Sequence, residues 1–234
     1  MNRRSIRDRR LTAEIVERVA LPGVRAASAL AVRGGEHWVV QDDVLSLAVV
    51  SRAGSALGLR PAAFDLPTGA DGRRVFGEAD GTKHLKADLE AAVELPDGRW
   101  VLLGSGSLPA RERAFVVHDD AVHERPLPGL YAALRAALGP AVELNLEGAV
   151  HTGDTLRLLQ RGNGRGKCDA ELRLPLAAFV AHLDGGPAPT PPRVVRWSLG
   201  ALAQAQLTFT DGLGLGPARY AYLAAAEDSP NAVD

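Results

Sequence analysis

The sequence predicts an all-β fold, a β-propeller of four-stranded antiparallel blades that is incomplete at its C-terminus and carries one short inter-blade helix. Two observations carry this prediction. Short apolar runs, alternating or continuous, are separated throughout by tight turns rich in Gly, Pro and Asp. A repeat runs through the middle of the chain: Lys86-Ala-Asp-Leu-Glu-Ala-Ala-Val aligns with Glu143-Leu-Asn-Leu-Glu-Gly-Ala-Val, residue 88 falling on residue 145. After the next turn, Trp100-Val-Leu-Leu-Gly-Ser-Gly-Ser aligns with Leu156-Arg-Leu-Leu-Gln-Arg-Gly-Asn. All-β units of this length match propeller blades.

Taken in order, Ala29–Val32 and His37–Val40 flank the turn Arg33-Gly-Gly-Glu36, and Leu45–Val50 turns at Arg52-Ala-Gly54 into Ala56–Leu59. The cadence returns in Leu89–Leu95, the turn Pro96-Asp-Gly98, Arg99–Leu103, Arg113–His118, Asp119-Asp120 and Ala121–Arg125. Asp and Gly suit such turns because they tolerate positive φ. Pro128–Gly139 breaks the pattern: Leu130, Leu134 and Leu138 fall at helical spacing, closed by Gly139-Pro140. Leu176–Leu183 fits a helical turn or a strand equally. Looser copies of the repeat lie at Trp38–Asp43 and at Gln206–Asp211 with Arg219–Ser229. The expected organisation is a tail with a ring-closing strand over Leu11–Val19 within 1–24, then blades near 25–65, 86–127, 143–198 and 202–234, the last partial and suggesting a truncated chain.

Composition narrows the function classes. The 234 residues hold 27 basic and 28 acidic side chains, a balance that argues against a nucleic-acid partner. No apolar run approaches the roughly 18–20 residues that span a bilayer, so no membrane partner is expected. The polar N-terminal stretch does not read as a secretory signal, and the single Cys168 points to a reducing, cytoplasmic setting. The arginines near the N-terminus read as a solvated end.

In a propeller the start of each blade's first strand and the end of its second lie at one face. That rule brings Lys86, Asp88, Glu90, Asn145, Glu147 and Asp211 from strand starts to the same mouth. From strand ends it adds Asp42, Asp43, Ser105, Ser107, Arg161, Asn163, Glu227 and Asp228. Hard oxygen donors suit Ca²⁺ or Mg²⁺, which makes Asp42, Asp43, Asn145, Glu147, Glu227 and Asp228 the candidate ligands of a Ca²⁺ ion. Lys86, Asp88, Glu90, Arg161, Asn163 and Asp211 form the candidate site for a small-molecule ligand. Two readings follow. One is a divalent-cation-dependent hydrolase of esters or phosphoesters, with Arg161 stabilising developing negative charge. The other is a non-catalytic module binding a small ligand or peptide, or an interaction scaffold.

Asn145-Leu-Glu-Gly-Ala149 followed by Arg161-Gly-Asn-Gly164 resembles the strand start and strand end of phytase-like (esterase-like phytase) propellers. Gln41-Asp42-Asp43 and Ala225-Ala-Glu-Asp-Ser229 resemble motifs of an uncharacterised bacterial propeller family near that group. The likeness spans about 25–234 and implies a propeller with a polar central site. No basic cluster suited to a polyphosphorylated substrate accompanies it.

Other chemistry finds no support. The six histidines lack zinc spacing, and His118-Asp-Asp120 belongs to an outer turn. Gly104-Ser-Gly-Ser107 lacks the strand-to-helix setting of a nucleophile elbow. Gly162-Asn-Gly-Arg-Gly-Lys167 misses the phosphate-loop spacing and has no helix behind it.

Overall fold

A computed structural model describes residues 20–227 apart from 54, 55, 70 and 120, together with Glu14 and Arg18. Four antiparallel sheets follow one another along the chain as the four blades of a β-propeller. The first holds β1 (Ala27–Arg33), β2 (Glu36–Gln41), β3 (Ser46–Ala53) and β4 (Ala56–Asp65) in that order. The second holds β5 (Leu89–Glu94), β6 (Trp100–Gly104), β7 (Arg113–His118) and β8 (Ala121–Pro126). The third holds β9 (Leu146–Thr152), β10 (Thr155–Gln160), β11 (Ala170–Pro175) and β12 (Arg193–Arg196). The fourth has three strands, β13 (Ala201–Leu202), β14 (Ala205–Gly214) and β15 (Tyr220–Ala226). The expected closing strand over Leu11–Val19 lies outside the described residues, Glu14 and Arg18 excepted.

The period-two pattern sends alternate side chains of the second sheet into different cores. Val101, Leu103, Ala114 and Val116 pack toward the third sheet, whereas Trp100, Leu102, Phe115 and Val117 pack toward the first. A strand buried on both faces must be apolar at every position, and all five residues of β6 are buried. The inner strands β1, β5, β9 and β14 pack side by side in that sequence.

Helix α1 (Pro128–Leu138) fills the space between the second and third sheets. Leu130, Leu134 and Leu138 are all buried, as their spacing requires. The Tyr131 hydroxyl donates to the Gly104 carbonyl at 2.7 Å, which ties the helix to the exit of β6. The ambiguous run Leu176–Leu183 is a second helix, α2, with Leu176, Phe179 and Leu183 buried. Three buried positions at i, i+3 and i+7 make one helical stripe.

Candidate functional site

The first three sheets repeat one device at one face. Each second strand leads into a residue whose N–H donates back to the start of the inner strand. Asp42 N–H bonds Ala26 O at 2.9 Å, Ser105 N–H bonds Asp88 O at 2.8 Å, and Arg161 N–H bonds Asn145 O at 2.8 Å. Immediately beyond, the pairing of each inner strand slips by one residue. The skipped residues are Ser28, Glu90 and Glu147, and Thr210 takes this place in the fourth sheet. A β-bulge of this kind re-aims a side chain, and here it does so at the same height in successive blades.

The charged side chains form two connected groups. In the first, Lys86 Nζ lies 2.8 and 2.7 Å from the two carboxylate oxygens of Asp42 and 2.6 Å from Asp88. Arg111 Nη1 reaches Asp88 at 2.7 Å and Ser107 Oγ at 2.6 Å, and Ser105 Oγ donates to the same Asp88 oxygen. Lys86, Asp88, Ser105 and Arg111 are all buried. In the second group Arg161 pairs with Glu147 at 3.2 Å and with Glu227. Asn145 Nδ2 donates to Glu147 at 2.9 Å and to Asn163 at 3.3 Å.

Burial and charge set the protonation of this cluster. Burial, followed by the neighbouring Asp88, raises the Asp42 carboxyl to about 6. Burial raises Glu147 to about 7 against the opposing pull of Arg161. Glu90 is pushed well above the ordinary carboxylate range by burial and then by Glu147, Asp42 and Asp88. Asp88 goes the other way: burial would raise it, but Lys86 and Arg111 together hold it down. Oxygens of Asp42, Asp88 and Glu90 all lie within 4.8 Å of one another, a set that could hold a metal ion.

Not every residue expected at the mouth reaches it. Asp43 pairs instead with Arg25 at 2.9 Å. Asp211 lies on β14 in a different, apolar cavity. Glu227 joins through Arg161 but is partly exposed, and Asp228 lies outside the described residues. The residue that sequence reading missed is Arg111, which sits on a single 3₁₀ turn (Pro109–Arg111) where no repeat marks it. Asp169 was missed too. Its carboxylate accepts the N–H of Gly162 at 3.0 Å and of Phe209 at 3.3 Å, and the Gln206 amide at 3.0 Å, joining the third and fourth sheets.

The glycines of the Glu147-Gly148 and Arg161-Gly162 motifs are required by packing. A Cβ on Gly148 would stand 3.0 Å from the Gly212 nitrogen of β14. One on Gly162 would stand 2.7 Å from the Asp169 nitrogen. Both mark close backbone approach.

The chain belongs to a family of unknown function, DUF6929, which it matches over residues 23–234. No curated protein matches it. Among solved structures it is similar to YCF48 bound to D1 peptide, with 8% identity, 86% of this chain and 75% of that chain covered, and a TM-score of 0.32. No helix of the described residues is long and apolar enough to cross a membrane.

Proposed function

We infer that the chain is a binding module whose polar mouth takes a cationic group, with a divalent metal ion such as Ca²⁺ as its simplest occupant. The observation that supports this most is the excess of acid at the mouth. Among the described residues, Asp42, Asp88, Glu90, Glu147 and Glu227 face three cationic side chains, Lys86, Arg111 and Arg161. Glu90 makes no hydrogen bond among the described residues, and of the charges around it only Lys86 offsets the neighbouring acids. Gathered carboxylates either take up protons or recruit a cation. Lys86 already spans Asp42 and Asp88, so an incoming ion engages Glu90 and displaces or shares the Lys86 ammonium.

Binding fits this mouth better than ester or phosphoester hydrolysis. Arg161, the side chain expected to steady developing negative charge, is already paired with Glu147 and Glu227, and Arg111 is committed to Asp88. Ser105 is fully buried and donates its proton to Asp88, so it is no accessible nucleophile. Two residues of the motifs that resemble phytase-like propellers, Gly148 and Gly162, are ones the packing of this chain already requires.

Thermal unfolding with Ca²⁺, Mg²⁺ or Mn²⁺ tests the reading. An ion at about 100 times its dissociation constant adds roughly 2.7 kcal/mol of stability. The shift should be larger at pH 8 than at pH 6, because the ion replaces protons, and it should be lost in Glu90→Gln. No shift with any of the three ions at pH 8 overturns the cation reading. Turnover of ester or phosphoester substrates, lost in Arg161→Ala, would restore the hydrolase.

A further inference from the structure

Beyond the polar mouth, the inner strands enclose a second and chemically different space. A cavity of about 530 Å³ is lined by residues of β1, β5, β9, β14 and β15. Among the described residues, nine large apolar side chains are exposed, and five of them line this cavity: Leu30, Val32, Leu213, Tyr222 and Leu223. Leu30 and Val32 come from the first sheet and the other three from the fourth, while Ala92, Val93, Trp100, Ala149 and Val150 of the second and third sheets complete the apolar lining. Apolar side chains gathered in this way mark a binding surface rather than scattered exposure. The volume falls in the range of small-molecule sites.

The polar groups on its walls have one sign. Asp211 and Glu94 contribute carboxylates, and among the described residues no lysine or arginine lines the cavity. The polar partner of Asp211 among the described residues is the adjacent Gly212 N–H, at 2.6 Å from Oδ1, which leaves Oδ2 unpaired. His151 also lines the cavity, and its buried Nδ1 has no partner. An apolar body would bury against the leucines, and an ammonium could donate its N–H groups to the Asp211 carboxylate. We propose that this cavity binds an amphipathic amine, a small apolar body carrying one protonated nitrogen, with Asp211 as the counter-ion of the head group. This site is independent of the cation at the mouth.

Isothermal titration calorimetry with n-octylammonium, n-octanol and octanoate at pH 7.5 tests it on the full chain. Octylammonium should bind at least about tenfold more tightly than octanol, the worth of one hydrogen bond to a charged group, and octanoate should bind least. Asp211→Asn should bring octylammonium down to the level of octanol. Ala92→Phe, on the β5 part of the lining, should block all three with the fold checked by circular dichroism, and it keeps the test available if the Asp211 variant fails to fold. Absence of binding, equal binding of the three probes, or an undiminished preference in Asp211→Asn overturns the proposal. A dimer in solution that dissociates in Leu223→Glu would assign the apolar walls to a second copy of the chain, and would overturn it as well.

Discussion

Glu90 and Glu147 occupy the same place in successive blades: each is the residue skipped where its inner strand slips register against the next strand. Their surroundings differ. Glu147 is held by Asn145 at 2.9 Å and by Arg161 at 3.2 Å, while Glu90 faces Glu147, Asp42 and Asp88 with only Lys86 to offset them. One repeated backbone position thus supplies a satisfied carboxyl and an unsatisfied one side by side. The unsatisfied one is where an added positive charge gains most.

This arrangement fixes the sign of the pH dependence. A carboxyl raised in the native state keeps its stabilising contribution below its unfolded pKa, near 4, and loses it as pH climbs through the folded value. Asp42 at about 6 and Glu147 at about 7 therefore make the metal-free protein lose stability between about pH 4 and pH 7. Asp88, held low by Lys86 and Arg111, acts oppositely, and its contribution is lost only as pH falls below the ordinary carboxylate range. Urea titrations across this window should show the decline, with a contribution from Glu147 on the order of 3 kcal/mol at most. Glu147→Gln should make the decline shallower while the share of Asp42 remains, and a stability that rises through the same window contradicts the assignment.

Lys86 is the internal counter-ion of the mouth. It is buried between Asp42 and Asp88, with its side chain 7% exposed. Removing one partner of a buried pair strands the other charge, at a cost of about 3–5 kcal/mol. Lys86→Met should lower the urea midpoint accordingly, and Ca²⁺ should restore more stability to this variant than it adds to the parent protein. Equal Ca²⁺ effects in the two proteins would show that ammonium and ion do not compete for the same oxygens.

Asp169 should govern the attachment of the fourth sheet. It accepts from Gly162, Phe209 and Gln206 at 3.0–3.3 Å and is 2% exposed. Asp169→Ala leaves three donors without an acceptor, at about 1–3 kcal/mol each when buried. Hydrogen exchange should then quicken in β14 and β15 before it does in β6, because local opening starts where the lost contacts are. Uniform quickening across all four sheets would instead assign Asp169 a global role.

The blades and α1 were legible because period-two alternation, turn residues and the spacing of three leucines are local signals. The mouth was legible in part, since Asp42, Lys86, Asp88, Glu90 and Glu147 recur at strand ends. Arg111 and Asp169 escaped because their partners are supplied by other parts of the chain: Arg111 meets Asp88 from 23 residues away, and Asp169 reaches Phe209 across 40. Asp43 was misplaced for a related reason. Adjacent Asp42 and Asp43 lie in the bend that follows β2, where strand alternation no longer fixes direction, and they take different partners, Lys86 and Arg25. Leu176–Leu183 stayed ambiguous because eight residues carrying a single polar side chain, His182, present no contrast between faces.

Gly148 couples the packing of the blades to the chemistry of the mouth. It follows Glu147 directly, and a Cβ there would stand 3.0 Å from Gly212 N, 3.0 Å from Leu159 Cδ1 and 3.1 Å from the Asp211 carbonyl carbon. Two of these three atoms are backbone of β14, which cannot swing aside as a side chain can. Gly148→Ala must therefore push β9 and β14 apart, at about 1–3 kcal/mol for overpacking. Gly77→Ala is the matching control, since a Cβ there meets nothing within 4 Å. Because the displaced strand carries Glu147, Gly148→Ala should also weaken the Ca²⁺-dependent rise in melting temperature, whereas Gly77→Ala should leave it intact. A Gly148→Ala protein with normal stability and a normal Ca²⁺ response would mean that β9 and β14 can separate without disturbing the acids at the mouth.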